Sequence, residues 1–454
     1  MRNFSKIITV LTKIFLVGLL AQFFLQTFVT HKLGLDGTAW NVVRMRKEAL
    51  IIVLAGMTIF QLSKRKLWEK LWKAFPIKRF IILFIATLVI TAGVSLLINQ
   101  TGIGIYIMSI KYSMIGFLIF ILFFTMHFLL KKEQAGDILQ RYGRLITYIL
   151  IFAVIWRGII WLMPNIMRHV GYNQWNFEGS VGIAPPAAYY TQYNEGYTRN
   201  QFLFERPIGF GFFLIAFWPV FTMLFLRKRG RKSALLWWGL YGLVVLSTFS
   251  RAAWAARFLQ TFILLFIQYQ KNIRKILVYG ILPTLIVFGT ITYLGRTQII
   301  NRKFSNLGHI KNVMYAIEQV EEKPIWGQWA GSAWPASHQI ETITGEEWSS
   351  TNYNPENQFL QIRIEYGILG FLGRMALYLY LHKIGFTARK ESKDPRITKK
   401  DRFHWLLVLA FSLGILWLSL EGLVLHSFVD RMIVYPFMAL FGIAYAVYQK
   451  NKEV

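Results

Sequence analysis

The 454-residue chain is 55% hydrophobic, 17% aromatic and only 16% charged, where a soluble domain carries about 25% charged residues. A single soluble core stops growing near ~250–300 residues, so this excess of apolar side chain must be solvated largely by lipid. The 51 Lys and Arg outnumber the 22 Asp and Glu, giving a net charge of +29. On a soluble protein that balance would point to nucleic acid; on a membrane protein it points first to the anionic cytoplasmic leaflet. The absence of cysteine excludes disulfides, thiolate nucleophiles and Cys-held zinc or iron–sulfur sites. No G-x-x-x-x-G-K-[ST] is present, and Asp occurs five times and never two residues apart. A P-loop NTPase and a D-x-D nucleotide-sugar enzyme are both disfavoured. Energy must come from the substrate's own bond or from an ion gradient.

Crossing a bilayer core of ~30 Å takes about 20 mostly apolar residues in a helix. Twelve such segments are predicted, near 7–27, 48–63, 80–98, 112–130, 145–164, 207–226, 234–249, 252–268, 276–295, 358–381, 403–420 and 432–448. The first follows Arg2 and Lys6 and resembles a signal peptide. It is longer than a typical signal core and has no clear small-x-small cleavage site, so it counts as a span. The expected fold is all-α: a polytopic integral membrane protein of about 12 transmembrane helices, one membrane domain over 1–454.

Charge sets the expected orientation. Lys64, Arg65, Lys66, Lys70, Lys73, Lys78 and Arg79 fill one loop, and Lys131, Lys132, Arg141 and Arg144 another. Arg227, Lys228, Arg229, Arg231 and Lys232 crowd a third, Lys271, Arg274 and Lys275 a fourth, and the 382–402 connection adds eight more. These loops alternate along the chain and, with both termini, hold more than half of the 51 basic residues. The positive-inside rule makes that face cytoplasmic. The opposite, extracytoplasmic face then carries two long loops, 165–206 and 296–357, rich in Tyr, Trp, Gly, Asn and Glu. Loops of such length are usually functional or disordered, and these are too aromatic for disorder. Ile310, Val313, Met314, Ile317 and Val320 fall at helical spacing in the second, which predicts a short amphipathic helix on the membrane, or one that simply packs.

Three features converge on the outer face. Arg199 precedes the sixth span, Arg251 lies in the short turn between the seventh and eighth, and Glu356-Asn357 enters the tenth. Guanidinium is a planar, permanently charged fork suited to phosphate oxygens. Arg251 could hold a lipid diphosphate at that depth, or ordinary lipid phosphate. Glu356 could accept a hydroxyl proton as a general base, or could be a solvated loop residue favoured by the dipole of the helix it precedes. His309 and His338 are rival bases in the same loop. Trp326, Trp329, Trp334 and Trp348 could stack on sugar faces, although interfacial Trp is common in membrane proteins. Lys13, Arg157, Arg257, Arg363, Glu365 and Arg374 fall in or near spans and need partners that the sequence does not name.

These residues resemble the bacterial O-antigen ligase and polysaccharide polymerase superfamily. The first family element, R-x-x-G-x-F-x-x-P-N-x-x-G, compares with Arg199-Asn200-Gln201-Phe202-Leu203-Phe204-Glu205-Arg206-Pro207-Ile208-Gly209-Phe210-Gly211, where Phe202 replaces Gly and Ile208 replaces Asn. The second is Ser250-Arg251-Ala252-Ala253-Trp254. The third, an amphipathic helix leading into P-hydrophobic-hydrophobic-G-x-x-G, matches Ala316 through Pro324-Ile325-Trp326-Gly327 and on to Gly331, with less regular spacing at its end. The fourth is Glu356-Asn357-Gln358-Phe359-Leu360-Gln361 followed by Glu365-Tyr366-Gly367. The likeness covers about 199–375. The family's usual His before Asn, its presumed base, is Glu356 here, and His309 lies near a place where relatives often carry Arg.

The resemblance implies a metal-independent, cofactor-free glycosyltransferase of the bacterial plasma membrane, with cytoplasmic termini and an extracytoplasmic active site. Its donor would be a polyprenyl-diphosphate-linked oligosaccharide and its acceptor a glycan hydroxyl. Arg199 and Arg251 would neutralise the diphosphate, and Glu356 would deprotonate the acceptor. Arg206, His309, Asn357, Trp326 and Trp329 would bind substrate. Implied partners are membrane lipid, a flippase and a chain-length regulator, and no nucleic acid. Polymerase, with a lipid-linked repeat as acceptor, is preferred over ligase, with a lipid, protein or wall acceptor. A twelve-span flippase or transporter is the competing class. The long outer loops and the lack of a detectable internal repeat argue against it.

Overall fold

A computed structural model describes residues 2–20, 28–34, 37–73, 77–130, 132–163, 166–169, 199–204, 207–228, 231–269, 303–333, 354–423 and 430–452, with the single residues 25, 289 and 428. Among them the helices are α1 (Arg2–Leu20), α2 (Gly37–Lys64), α3 (Trp68–Lys73), α4 (Ile77–Ala92), α5 (Ile103–Phe128), α6 (Lys132–Leu162), α7 (Ile166–His169), α8 (Pro207–Lys228), α9 (Arg231–Ser247), α10 (Arg251–Tyr269), α11 (Lys303–Glu322), α12 (Gln358–Glu391), α13 (Lys399–Glu421) and α14 (Arg431–Lys452). Two π-turns, Phe28–Lys32 and Gly93–Ile98, complete the regular structure of the described residues. Among the described residues each predicted apolar segment falls largely on a helix, apart from 276–295, of which only residue 289 is described. Four described helices are long and apolar enough to cross a membrane: Lys78–Ile98, Ile103–Phe128, Asp401–Glu421 and Arg431–Lys452. Ile151–Ile160, Pro207–Met223 and Leu236–Ser247 are shorter apolar helices. The regular structure of the described residues is all helical, in keeping with a multi-pass membrane protein.

The chain folds into two compact units. The first comprises Met1–Met57 and Glu133–Arg302, the second Thr58–Lys132 and Lys303–Val454. In the first unit α8 forms the core, with Phe210, Phe213, Leu214, Phe217, Trp218 and Phe221 all buried. Pro219 sits inside this helix and cannot donate to the carbonyl one turn back. That carbonyl belongs to Ile215, and Gln260 of α10 supplies the missing donor through Nε2 at 2.8 Å. Such an orphaned acceptor would cost several kcal/mol in lipid, on the order of a lost buried hydrogen bond. Here a neighbouring helix satisfies it.

In the second unit α14 is almost wholly sheathed by other helices. A Cβ on its Gly442 would lie 2.5 Å from the Phe120 carbonyl oxygen of α5, so only glycine lets the two backbones meet. Phe120 then stacks on Tyr445 and tilts against Phe441. At their far ends α12 and α14 are tied by Glu391, which contacts both Tyr448 and Lys452.

Candidate active site

In the first unit, the α9–α10 turn is built from its own sequence. The Thr248 hydroxyl donates to the Val245 carbonyl (2.7 Å) and accepts from the Ser250 N–H (3.3 Å). Ser250 Oγ then caps α10 by accepting from the Ala253 N–H (3.4 Å). Trp254 reaches back and donates its indole N–H to the Leu246 and Val245 carbonyls at the end of α9 (3.2 and 3.3 Å). Ser250 and Trp254 thus close the two helix ends, and Arg251 stands half-buried at the first position of α10.

Arg199 belongs to the same construction. It is buried, and its Nε donates to the Thr248 carbonyl at 3.0 Å. Asn200 adds a backbone bond to the Ser247 carbonyl (2.9 Å) and a side-chain bond to Ser247 Oγ (3.0 Å). The structure therefore brings the first two motif elements together. Phe202 has φ of 51°, a left-handed conformation that a bulky side chain rarely takes. That explains the glycine usual at this place in the resembling family. Its ring compensates by packing on Phe152 and Phe210.

Gly211 closes the contact between α8 and α10. A Cβ there would lie 3.0 Å from Ala253 Cβ and 3.4 Å from Ser250 Cβ. Gly211→Val is expected to destabilise the protein by about 1–3 kcal/mol through overpacking. The same change is expected to shift the start of α10 and lower transfer activity. Ala253→Gly in the same chain should restore part of both losses, read by thermal unfolding in detergent and by transfer assay.

In the second unit, a reciprocal backbone clasp joins the third and fourth elements. α12 is broken at Gly367, whose φ and ψ are 61° and −162°. The Pro324–Gly327 turn docks into the break. The Gln328 N–H donates to the Ile364 carbonyl (2.6 Å), and the Ile368 N–H to the Ile325 carbonyl (3.1 Å). Gly327 itself has φ of 75° and leaves no room for a Cβ, which would lie 2.6 Å from the Gly367 nitrogen. Beside the clasp, Glu365 is fully buried. Gln361 Nε2 donates to it at 3.1 Å, Ser109 of α5 contacts its other oxygen, and Arg374 acts on it through space. Ser109 also contacts the Tyr366 hydroxyl, and Arg374 donates to the Ser113 carbonyl at 2.6 Å. Ser109 lies 256 positions from Glu365 and carries no sequence signal for this role.

Glu356 and His309 are brought into direct contact, His309 Nδ1 against Glu356 Oε2. Both remain partly open, His309 at 31% and Glu356 at 24% side-chain exposure. Glu356 has φ of 47°, another left-handed residue, and its N–H donates to Asn354 Oδ1 at 3.0 Å. Asn357 is the N-cap of α12. Its Oδ1 accepts from the Phe359 and Leu360 N–H groups (2.9 and 3.0 Å), and its Nδ2 donates to the Leu423 carbonyl (2.9 Å). Strained non-glycine backbone persists only where the surroundings over-determine it, and such residues cluster at functional sites. His309 rides on α11, which packs on α12 through Ala316, Ala333 and Ile364. Leu307, Ile310, Met314 and Ile317 of α11 stay exposed. The predicted amphipathic helix thus packs along one flank and keeps an apolar stripe open.

Trp326 is exposed and its carbonyl accepts from Asn99 Nδ2 at 3.3 Å, whereas Trp329 is half-buried. Arg206, His338, Trp334 and Trp348 lie outside the described residues. Arg199 and Arg251 belong to the first unit, and His309 and Glu356 to the second. Arg257, one of the charges left without a partner in the sequence, lies between the Trp218 and Trp238 rings, 3.5 and 4.4 Å from their centroids. It also donates to the Trp238 carbonyl (3.3 Å). Two aromatic faces thus solvate the cation in place of a carboxylate.

The segment holding the Ser250–Trp254 turn, the α11 helix, the glycine clasp and the Glu356 pair has a recognisable family. Residues 234–374 match the O-antigen ligase family model. The match supports the O-antigen ligase and polysaccharide polymerase superfamily that the motif elements implied. No curated protein matches the chain. The match indicates activity of the O-antigen ligase or polymerase type, with lipid-linked oligosaccharide and acceptor glycan as the general substrates.

Proposed function

We propose that the protein polymerises lipid-linked oligosaccharide repeats into a surface polysaccharide at the extracytoplasmic face of the bacterial plasma membrane. The observation that carries this reading is the family match over 234–374, which contains both the capped Arg251 turn and the Glu356–His309 pair. A polyprenyl-diphosphate donor needs its leaving group neutralised and its acceptor hydroxyl deprotonated. Arg251, at the first position of α10, supplies a forked cation beside helix N–H groups, both of which favour phosphate. Arg199 holds the turn by its Nε and adds a second positive charge behind it. Glu356 and His309 together form the proton-accepting pair. The acceptor oxygen attacks the anomeric carbon as it gains oxocarbenium character, and direct displacement inverts that centre. Asn357 fixes the helix entry from which Glu356 projects, and Trp326 offers an exposed ring for a sugar face. Binding energy from these positive groups does in arginine what a divalent ion does elsewhere.

The test is transfer by the full chain in proteoliposomes supplied with a lipid-linked repeat and separated on a polysaccharide gel. A ladder of lengthened, lipid-linked glycan is expected. Arg199→Ala and Glu356→Ala should each remove the ladder, with protein level and insertion measured alongside. Retained chain length in both variants would refute the site assignment. Transfer to a lipid core or wall acceptor with no lengthening would make the protein a ligase. Movement of unaltered repeats across the bilayer would make it a flippase.

A further inference from the structure

We propose that His309, and not the carboxylate it touches, accepts the proton from the acceptor hydroxyl, and that Glu356 is a positioning residue for that imidazole. This inference deepens the glycosyl-transfer reading above and rests on it. The contact runs from His309 Nδ1 to Glu356 Oε2. A proton on Nδ1 donated to the carboxylate leaves Nε2 as the acceptor, because the partner of one ring nitrogen sets the state of the other.

The two backbones are held differently. The Glu356 N–H donates to Asn354, and the next residue, Asn357, is fixed as the N-cap of α12. Glu356 has a left-handed backbone, with φ of 47°. It sits one residue before a helix N-cap, where the helix dipole favours negative charge. A carboxylate anchored there suits the task of holding an imidazole and balancing the charge it gains. His309 projects from α11, a regular helix with no such constraint on its backbone, and is the more exposed of the two.

The step balances as follows in atoms and electrons. The acceptor oxygen bonds to the anomeric carbon while its O–H bond breaks, and the proton passes to His309 Nε2. The bond from the anomeric carbon to the diphosphate oxygen breaks, and its electron pair leaves with the polyprenyl diphosphate. The imidazolium, paired with Glu356, later returns its proton to water.

The experiment uses the full chain in proteoliposomes with a lipid-linked repeat and reads the single-turnover rate. His309→Gln should slow transfer about 10²–10⁴-fold at unchanged donor affinity, as loss of a general base does. Glu356→Gln should slow it less. Millimolar imidazole should restore rate to His309→Gly, and restore little to His309→Gly combined with Glu356→Ala, which lacks the group that orients it. A near-normal rate in His309→Gln with the larger loss in Glu356→Gln would make Glu356 the acceptor and overturn the proposal. Failure of imidazole to accelerate His309→Gly would also overturn it, leaving the histidine a structural role. Absence of transfer by the unaltered chain to any glycan acceptor would instead sink the glycosyl-transfer reading, and this inference with it.

Discussion

Arg251→Ala is expected to slow glycan transfer about 10²–10³-fold, the usual cost of removing one group from a preorganised electrostatic clamp. The turn that carries Arg251 is closed by several other groups. Ser250 caps α10, Trp254 closes α9, and Arg199 and Asn200 clamp the strand of chain beside them. The alanine variant should therefore keep its fold and insertion, and the loss should fall on turnover. Arg251→Lys should recover only part of the rate, because a point charge cannot match two phosphate oxygens with a planar fork. Thermal unfolding in detergent, run beside the transfer assay, separates a lost clamp from a lost fold. Equal rates in Arg251→Ala and the unaltered chain would remove this residue from the site.

Gly367→Ala is expected to have the largest effect on stability. Its φ and ψ of 61° and −162° fall in a region that is essentially closed to residues with a Cβ. A Cβ there would lie 2.7 Å from the Trp326 carbonyl carbon and closer still to the Ile325 carbonyl. Backbone cannot move aside as a flexible side chain can. Relief requires the Pro324–Gly327 turn to leave the break, which gives up the Gln328–Ile364 and Ile368–Ile325 bonds. The combined cost should be on the order of 3–5 kcal/mol, in the range kept for special backbone positions. Leu372→Ala, at an exposed position on the same helix, is the control and should leave unfolding unchanged. An unfolding temperature in Gly367→Ala equal to that of the control would show that the clasp is not needed.

The apolar runs read as helices because continuous lipid-compatible stretches leave a chain little choice of structure. Pro207 opens α8, Arg251 opens α10 and Asn357 caps α12, each within a residue or two of the predicted edge. The motif order was also legible, since each element is a short local pattern. What the sequence concealed is where distant segments meet. The run 358–381 reads as one span, yet it is interrupted at Gly367, because the interruption is imposed by a turn over thirty residues upstream in the chain. Nothing near Glu365 announces Ser109, and nothing near Arg257 announces that two tryptophans will shelter it. The His309–Glu356 contact is of the same kind. Sequence nominated both as separate candidates, and only the packing of α11 on α12 turns them into a pair. Asn357 was nominated for substrate, and its amide is engaged by the protein's own backbone at both ends.

The glycine clasp has a mechanical consequence. By stitching the end of α11's loop into the middle of α12, it makes the imidazole's support and the carboxylate's support parts of one stiff jaw. Whatever pushes on one part of that jaw must carry both groups along together, so their spacing is kept by the protein's own backbone.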